Sequence, residues 1–157
     1  NQRINDHAVI LITGGMGGVG FIFAKYLSGK YCARLILTVR SVMDDAKKRQ
    51  LKELAELGGD AIYVQADVSN TNDMIRVVAE AKNTYQCLNG VIHGAGIIRD
   101  GFIMKKKKET FKEVIAPKIQ GSVNLYMITK NENLDFMVFF SSLAGVLGNI
   151  GQCDYAY

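Results

Sequence analysis

Eight consecutive residues, Thr13-Gly14-Gly15-Met16-Gly17-Gly18-Val19-Gly20, constrain this chain more than any others. They follow the apolar run Ala8-Val9-Ile10-Leu11-Ile12 and open onto Phe21-Ile22-Phe23-Ala24-Lys25-Tyr26-Leu27. The first run reads as a buried strand and the last as a helix, so a glycine-rich turn joins strand to helix. Glycine tolerates unusual backbone angles and leaves no Cβ between the main chain and a neighbour. A helix starting there directs unpaired N–H groups and a positive dipole end at whatever lies above the turn. Together these features make a pyrophosphate cradle, the opening of a dinucleotide-binding unit. All eight residues are therefore candidate cofactor contacts. The plainer reading, a tight turn, leaves the strand before and the helix after unexplained.

The second strand bears on which dinucleotide. Ala33-Arg34-Leu35-Ile36-Leu37-Thr38 reads as a buried parallel strand and runs into Val39-Arg40-Ser41. In NAD-binding folds an acidic residue near this point accepts hydrogen bonds from the ribose 2′-OH. No acid stands here before Asp44, whereas Arg40 lies twenty residues after Gly20. A guanidinium fork matches a phosphate, and Ser41 adds a hydroxyl donor. The pair points to NADP(H). The plain alternative is a solvated surface arginine.

At 157 residues the chain is long enough for one domain with a sizeable core. Its 48% hydrophobic and 22% charged residues are those of a soluble globular protein. No apolar run approaches a membrane span and no signal peptide is visible, so no membrane partner is expected. Cys32, Cys87 and Cys153 are odd in number and widely spaced, which argues for a reducing, cytoplasmic setting. With only His7 and His93 beside them, no metal site is expected. A net charge of +4 is too small to argue for nucleic acid. The one charge run, Lys105-Lys106-Lys107-Lys108, reads as a solvated loop or first helical turn, or else as a docking patch for an acidic partner.

Apolar and amphipathic runs alternate to the end. A charged surface helix is expected over 44–57, stopped by Gly58-Gly59, then a strand over 61–66. Ser69-Asn70-Thr71-Asn72-Asp73 offers caps for a third helix with Met74, Val77, Val78 and Ala81 on one face. A strand over 88–93, a long helix over roughly 109–129 and a strand over 134–140 complete the pattern. The long helix is expected to bury Phe111, Val114, Ile115, Ile119, Val123, Tyr126 and Met127, and to kink or restart at Pro117. This alternation means an α/β fold: a Rossmann-like, doubly wound parallel sheet of order 3-2-1-4-5. Such folds add a sixth strand, so residues 1–157 read as the front part of a longer unit, truncated before the last strands, with an exposed sheet edge.

In such a sheet ligands lie beyond the carboxyl ends of the strands. Asp67-Val68 follows the third strand and is placed to flank an adenine. Gly94-Ala95-Gly96 follows the fourth and leaves room for a cofactor close to the backbone. Ser142 ends the fifth, Tyr155 follows thirteen residues later, and Lys118 lies on the long helix. A serine, a tyrosine and a lysine beside a nicotinamide suit carbonyl reduction. The phenol protonates the growing alkoxide, the lysine supplies a positive field, and the serine hydrogen-bonds the oxygen. Taken singly, Ser142 reads equally as a turn cap, Tyr155 as a core residue and Lys118 as a solvated helix lysine. His93 ends a buried strand beside the glycines, where a structural hydrogen bond explains it better than a general-base role.

The motifs TGGMGGVG (13–20), TVRS (38–41), ADVSN (66–70), HGAG (93–96), APKIQGSVNL (116–125), FSS (140–142) and GQCDYAY (151–157) form one set. In them the chain resembles the ketoreductase domain of modular polyketide synthases, within the short-chain dehydrogenase/reductase superfamily. The resemblance runs from Ala8 to Tyr157. It implies NADPH-dependent reduction of a 3-oxoacyl thioester on an acyl carrier protein to the 3-hydroxyacyl thioester, beside neighbouring synthase domains. It implies Tyr155 as proton donor, Ser142 as the residue that orients the carbonyl, and Lys118 as the third catalytic residue. Free-standing reductases usually carry asparagine at the Lys118 position and a lysine four residues after the tyrosine. The synthase type carries asparagine at that later place, which lies beyond Tyr157. Of the Leu-Asp-Asp motif found in ketoreductases giving the D-hydroxyl, Asp100 alone is kept in Ile98-Arg99-Asp100. The tryptophan of those giving the L-hydroxyl is replaced by Leu147, so the resemblance leans to the D-hydroxyl. A non-catalytic ketoreductase remnant that still binds cofactor and a free-standing reductase of a small ketone are the rival readings.

Overall fold

In the computed structural model, residues 4–156 are described; residues 1–3 and Tyr157, the two ends of the 1–157 span, lie outside the described residues. The apolar runs form β1 (Val9–Thr13), β2 (Arg34–Val39), β3 (Asp60–Gln65), β4 (Gly90–His93) and β5 (Phe136–Phe139). Between and after them lie α1 (Gly18–Tyr31), α2 (Asp45–Glu56), α3 (Thr71–Tyr85), α4 (Lys108–Thr129) and the short α5 (Ala144–Leu147). All strand pairs are parallel and the order is β3-β2-β1-β4-β5, as the alternation predicts. From β1 the chain works outward through β2 and β3, then crosses back to β4 on the other side. That reversal opens a crevice over the carboxyl ends of β1 and β4.

Local chemistry sets the helix ends. Asp44 caps α2 by accepting the Lys47 N–H at 2.8 Å, and Asn70 caps α3 by accepting from Asn72 and Asp73. After α2 the chain turns at Gly58, φ +92°, a left-handed angle that favours glycine. Side chains alternate across the sheet with period two. On one face Val9, Leu11, Ile36 and Val91 pack with Met74, Val77 and Val78 of α3 and Leu125 of α4. On the other Ile10, Ile12, Leu35 and Leu37 pack with Ala24 and Leu27 of α1 and Leu54 of α2. Each such Leu or Ile contributes about 1.5–3 kcal/mol by leaving water.

The sequence expectations miss in several places; the fourth strand, expected over 88–93, covers only Gly90–His93. The fifth strand is shorter than 134–140, covering only Phe136–Phe139. Of the two outcomes expected at Pro117, a kink or a restart, the restart does not occur: α4 is one helix with Pro117 buried inside it. Its expected apolar face is also largely wrong. Val114 is buried, but Ile119, Val123, Tyr126 and Met127 are exposed. The side that meets the rest of the protein is Val114, Pro117, Gly121, Asn124, Leu125 and Thr129. Small residues win there because the helix lies close: a Cβ on Gly121 would fall 2.9 Å from Val68 Cγ1. Finally, the lysine run is not uniformly solvated. Lys105, Lys107 and Lys108 are exposed, but the Lys106 side chain is only 5% exposed and turns inward. Among the described residues no helix is long and apolar enough to cross a membrane.

Candidate active site

The glycines of the first turn divide by what they meet. Gly14 has φ +69°, and a Cβ there would sit 3.0 Å from the Ala95 backbone, so the β1 and β4 turns touch through it. A Cβ on Gly20 would fall 2.3 Å from the Gly14 carbonyl oxygen, so α1 can lie against the turn only with glycine here. These two serve close backbone packing. A Cβ on Gly18 would meet nothing within 4 Å. The N-cap of α1 is Gly17, and no side chain caps the helix. The helix therefore starts with bare N–H groups facing open space, the arrangement that attracts anions.

That space is a cavity of about 560 Å³. Of the sequence-predicted cofactor residues, Gly14, Gly17, Gly18, Val19, Gly20, Arg40, Asp67, Val68, Gly94, Ala95 and Gly96 line it. Lys118 and Tyr155 line it too. The remaining predicted residues stand elsewhere. Thr13 and His93 are fully buried behind the wall. Gly15 backs onto Leu37, where a Cβ would fall 2.8 Å from Cδ2, and Met16 packs into the core. Ser41 is exposed beside Arg40 but off the lining, its carbonyl accepting the Tyr63 hydroxyl.

His93 has both ring nitrogens engaged. Nε2 lies 2.9 Å from the Pro117 carbonyl, which can only accept, so Nε2 carries the hydrogen. Nδ1 then accepts the Thr13 hydroxyl at 2.6 Å, and Thr13 Oγ1 in turn accepts the Ala95 N–H at 3.3 Å. This chain of bonds ties β1, β4, the Gly94–Gly96 turn and α4 together. Burial, reinforced by the Lys118 charge, lowers the His93 pKa to about 4. The imidazole is a neutral strut, as the sequence position suggested; it does not line the cofactor cavity but forms part of the wall of the smaller one beside it.

The reaction end lies where β5 stops. Lys118 projects from α4, and its ammonium donates to the Phe140 carbonyl at 2.9 Å. Burial pulls its pKa below the ordinary lysine value. A second cavity of about 330 Å³ adjoins, lined by Lys118, Ser142 and Tyr155 with Ile115, Ile119 and Phe139. Lys118 and Tyr155 thus face both cavities, whereas Ser142 lines only the second. Ser142 Oγ accepts the Ala144 N–H at 3.2 Å, which caps the turn and leaves its own hydrogen free to donate.

At the far end a third cavity of about 500 Å³ brings Arg40 beside Asp67, Asp73 and Arg76. Arg76 was not foreseen. Its guanidinium donates to the Gln65 carbonyl at 2.7 Å and to Asp73 at 3.0 Å. The Asp67 N–H and then Arg76 hold the Asp73 carboxyl below its usual range. Asp67 itself takes both donors of Ser69. Arg76 is committed in this way, and Arg40 is exposed with no side-chain acceptor among the described residues.

Sheet order, glycine turn and the lysine–tyrosine cavity define a class, the Rossmann-like oxidoreductases of the short-chain dehydrogenase/reductase kind, which use nicotinamide cofactors. Within it, the family model described as the KR domain matches residues 8–157, and the chain belongs to that family of polyketide synthase ketoreductases. The chain is 49% identical to the polyketide synthase PksM of Bacillus subtilis (strain 168), over 99% of this chain and 4% of that protein. It is 35% identical to the highly reducing polyketide synthase GPY1 of Gibberella fujikuroi, over 99% of this chain and 6% of that one. An N-terminal ketoreductase from the macrolactin assembly line superposes with a TM-score of 0.95 at 46% identity, covering 98% of this chain and 32% of that one. A ketoreductase domain from the bacillaene assembly line gives 0.95 at 41%, covering 99% and 38%. The chain therefore spans a small part of the length of the synthases it matches.

Proposed function

We propose that this chain carries the NADPH-dependent reduction of a 3-oxoacyl thioester, held on an acyl carrier protein, to the 3-hydroxyacyl thioester. The observation that supports it most is that Lys118 and Tyr155 share one cavity with the glycine turn and Arg40. The residues fit the cofactor: α1 begins uncapped over open space at Gly18, and Arg40 keeps an unengaged guanidinium. Gly18 and Val19 would hold the pyrophosphate, Arg40 with Ser41 the 2′-phosphate, and Asp67 with Val68 the adenine. Bound there, the reduced nicotinamide supplies hydride to the carbonyl carbon.

The protein handles the oxygen. Ser142 donates a hydrogen bond to the carbonyl oxygen and Tyr155 gives it a proton, leaving a phenolate. Lys118, held by the Phe140 carbonyl and lining both cavities with Tyr155, would supply a positive field to that phenolate. The lean to a D-hydroxyl product rests on the resemblance at two positions, Asp100, which accepts from Gln152 at 2.9 Å, and Leu147 in place of tryptophan.

The test is NADPH oxidation by the full-length polypeptide with a 3-oxoacyl thioester, wild type beside Tyr155→Phe. The phenylalanine variant should lose roughly 10²–10⁴-fold in kcat with its NADPH Kd unchanged. Full turnover in that variant sinks the mechanism. A wild type that binds NADPH without turning over points to the non-catalytic module.

A further inference from the structure

Asp154 stands immediately before the proposed proton donor, and its side chain is 1% exposed. A carboxylate so far from water needs a partner. Lys106, equally withdrawn, supplies it by forming an ion pair with Oδ1. The same Oδ1 accepts the backbone N–H of Tyr155 at 2.9 Å. Oδ2 has no partner among the described residues. One oxygen atom thus links the lysine ammonium to the main chain of Tyr155.

Other bonds fasten the same two segments. The Gly101 N–H donates to the Gly151 carbonyl at 2.9 Å, and Gln152 Nε2 donates to Asp100 at 2.9 Å. Lys106 also reaches the Gly151 carbonyl at 3.4 Å. Gly151 has φ +79°, a left-handed turn that aims its carbonyl at both donors. No regular element carries Tyr155 among the described residues: α5 ends at Leu147, and 148–156 is turn and loop. What locates the phenol is therefore this set of bonds, and its only buried charges are Lys106 and Asp154.

We propose that Lys106 and Asp154 are positioning residues for Tyr155, a buried ionic clamp that ties the loop between β4 and α4 to the segment bearing the phenol. This inference rests on the reading that Tyr155 delivers the proton. Lys106 lines neither cavity, and Asp154 borders the second one while its Oδ1 is taken by Lys106 and the Tyr155 N–H. The clamp acts by fixing the backbone from which the phenol projects, and a misplacement of about 1 Å can cost on the order of 10²-fold in rate.

The experiment measures kcat per NADPH-binding site in the full-length polypeptide, so that any unfolded fraction drops out. Lys106→Met should lower kcat per site roughly tenfold to a hundredfold and leave the NADPH Kd within about twofold, because Arg40 and the glycine turn lie outside the clamp. Lys106→Arg, which keeps the charge and the donor, should recover most of the rate. The double variant Lys106→Met, Asp154→Leu removes both buried charges, a change that often restores stability. It should recover the full number of NADPH sites yet stay about tenfold slow, because the acceptor for the Tyr155 N–H is gone. Wild-type kcat per site in the double variant overturns the proposal. So does a series in which turnover falls only in proportion to NADPH sites lost, since the pair would then support the fold alone. Tyr155→Phe in the same assay separates the two claims: if it turns over normally, the proton-donor reading fails whatever the clamp does.

Discussion

β1 and β5 are strands of one parallel sheet, and they are held in opposite ways. Every residue of β1 is buried, with core on both faces. β5 runs from half-buried to exposed, Val138 and Phe139 being 42% and 45% accessible, and Leu143, Val146, Leu147 and Ile150 beyond it are far more open. The cofactor turn grows from the first strand, and Ser142 and Tyr155 lie beyond the second. The phosphate end of the site is therefore fixed by packing. The reaction end is fixed by individual polar bonds: Lys118 to the Phe140 carbonyl, Gly101 to Gly151, and the pair beneath Tyr155. Damage to the first half should show as lost stability, and damage to the second as misalignment in a protein that still folds.

The largest expected effect probes the joint between the halves. His93 has an ordinary pKa of 6.5 when the chain is unfolded and about 4 in the fold. Between those values the unfolded chain holds a proton that the folded one does not, so stability falls as pH falls. The loss is complete below about pH 4 and amounts to about 3 kcal/mol. Urea unfolding at pH 7 and at pH 4.5 reads it. His93→Asn should be less stable at pH 7 but flatter across that interval. An unchanged slope in the variant would mean that the strut is not what titrates.

Next comes Arg40→Ala, confined to the packed half. Losing a charged donor to phosphate costs about 1.5–3 kcal/mol, or roughly tenfold to a hundredfold in NADPH affinity. NADH binding and the unfolding midpoint should stay as they were. Equal losses for both cofactors would assign Arg40 to the fold and hand the 2′-phosphate to Arg76. The smallest effect is on α4. Val123→Gln, on the outward apolar side, should change stability by no more than about 0.5 kcal/mol. A larger loss would show that the open face of this helix is covered in the full-length protein.

The strand order and the glycine turn were legible because both are local patterns: apolar runs, a glycine cluster and caps in fixed succession. Met74, Val77, Val78 and Ala81 are buried as their spacing predicted. The face of α4 was not legible, because hydrophobic periodicity weights large side chains. Here the approach to the sheet is set by Gly121 and Pro117, which add little to such a pattern. Lys106 was hidden inside a run of four lysines, its partner 48 residues away. Arg76 entered no sequence expectation, because it and Arg40 lie on different segments that only the fold brings together. In each case the missing information was a contact between segments remote in the sequence.

The His93 strut has a consequence in time. Thr13 and His93 are 80 residues apart, and Pro117 lies 24 further on. During synthesis at about 5–20 residues per second, β1, α1 and β2 are complete and free to associate on the order of ten seconds before Pro117 exists. The phosphate cradle can thus be shaped on the nascent chain while the Gly94–Gly96 turn still lacks its anchor. The anchor of the Gly94–Gly96 turn sets only once the growing polypeptide has threaded back across the sheet, and the parts of the groove nearest the proposed chemistry, Phe140 and Tyr155, are made later still.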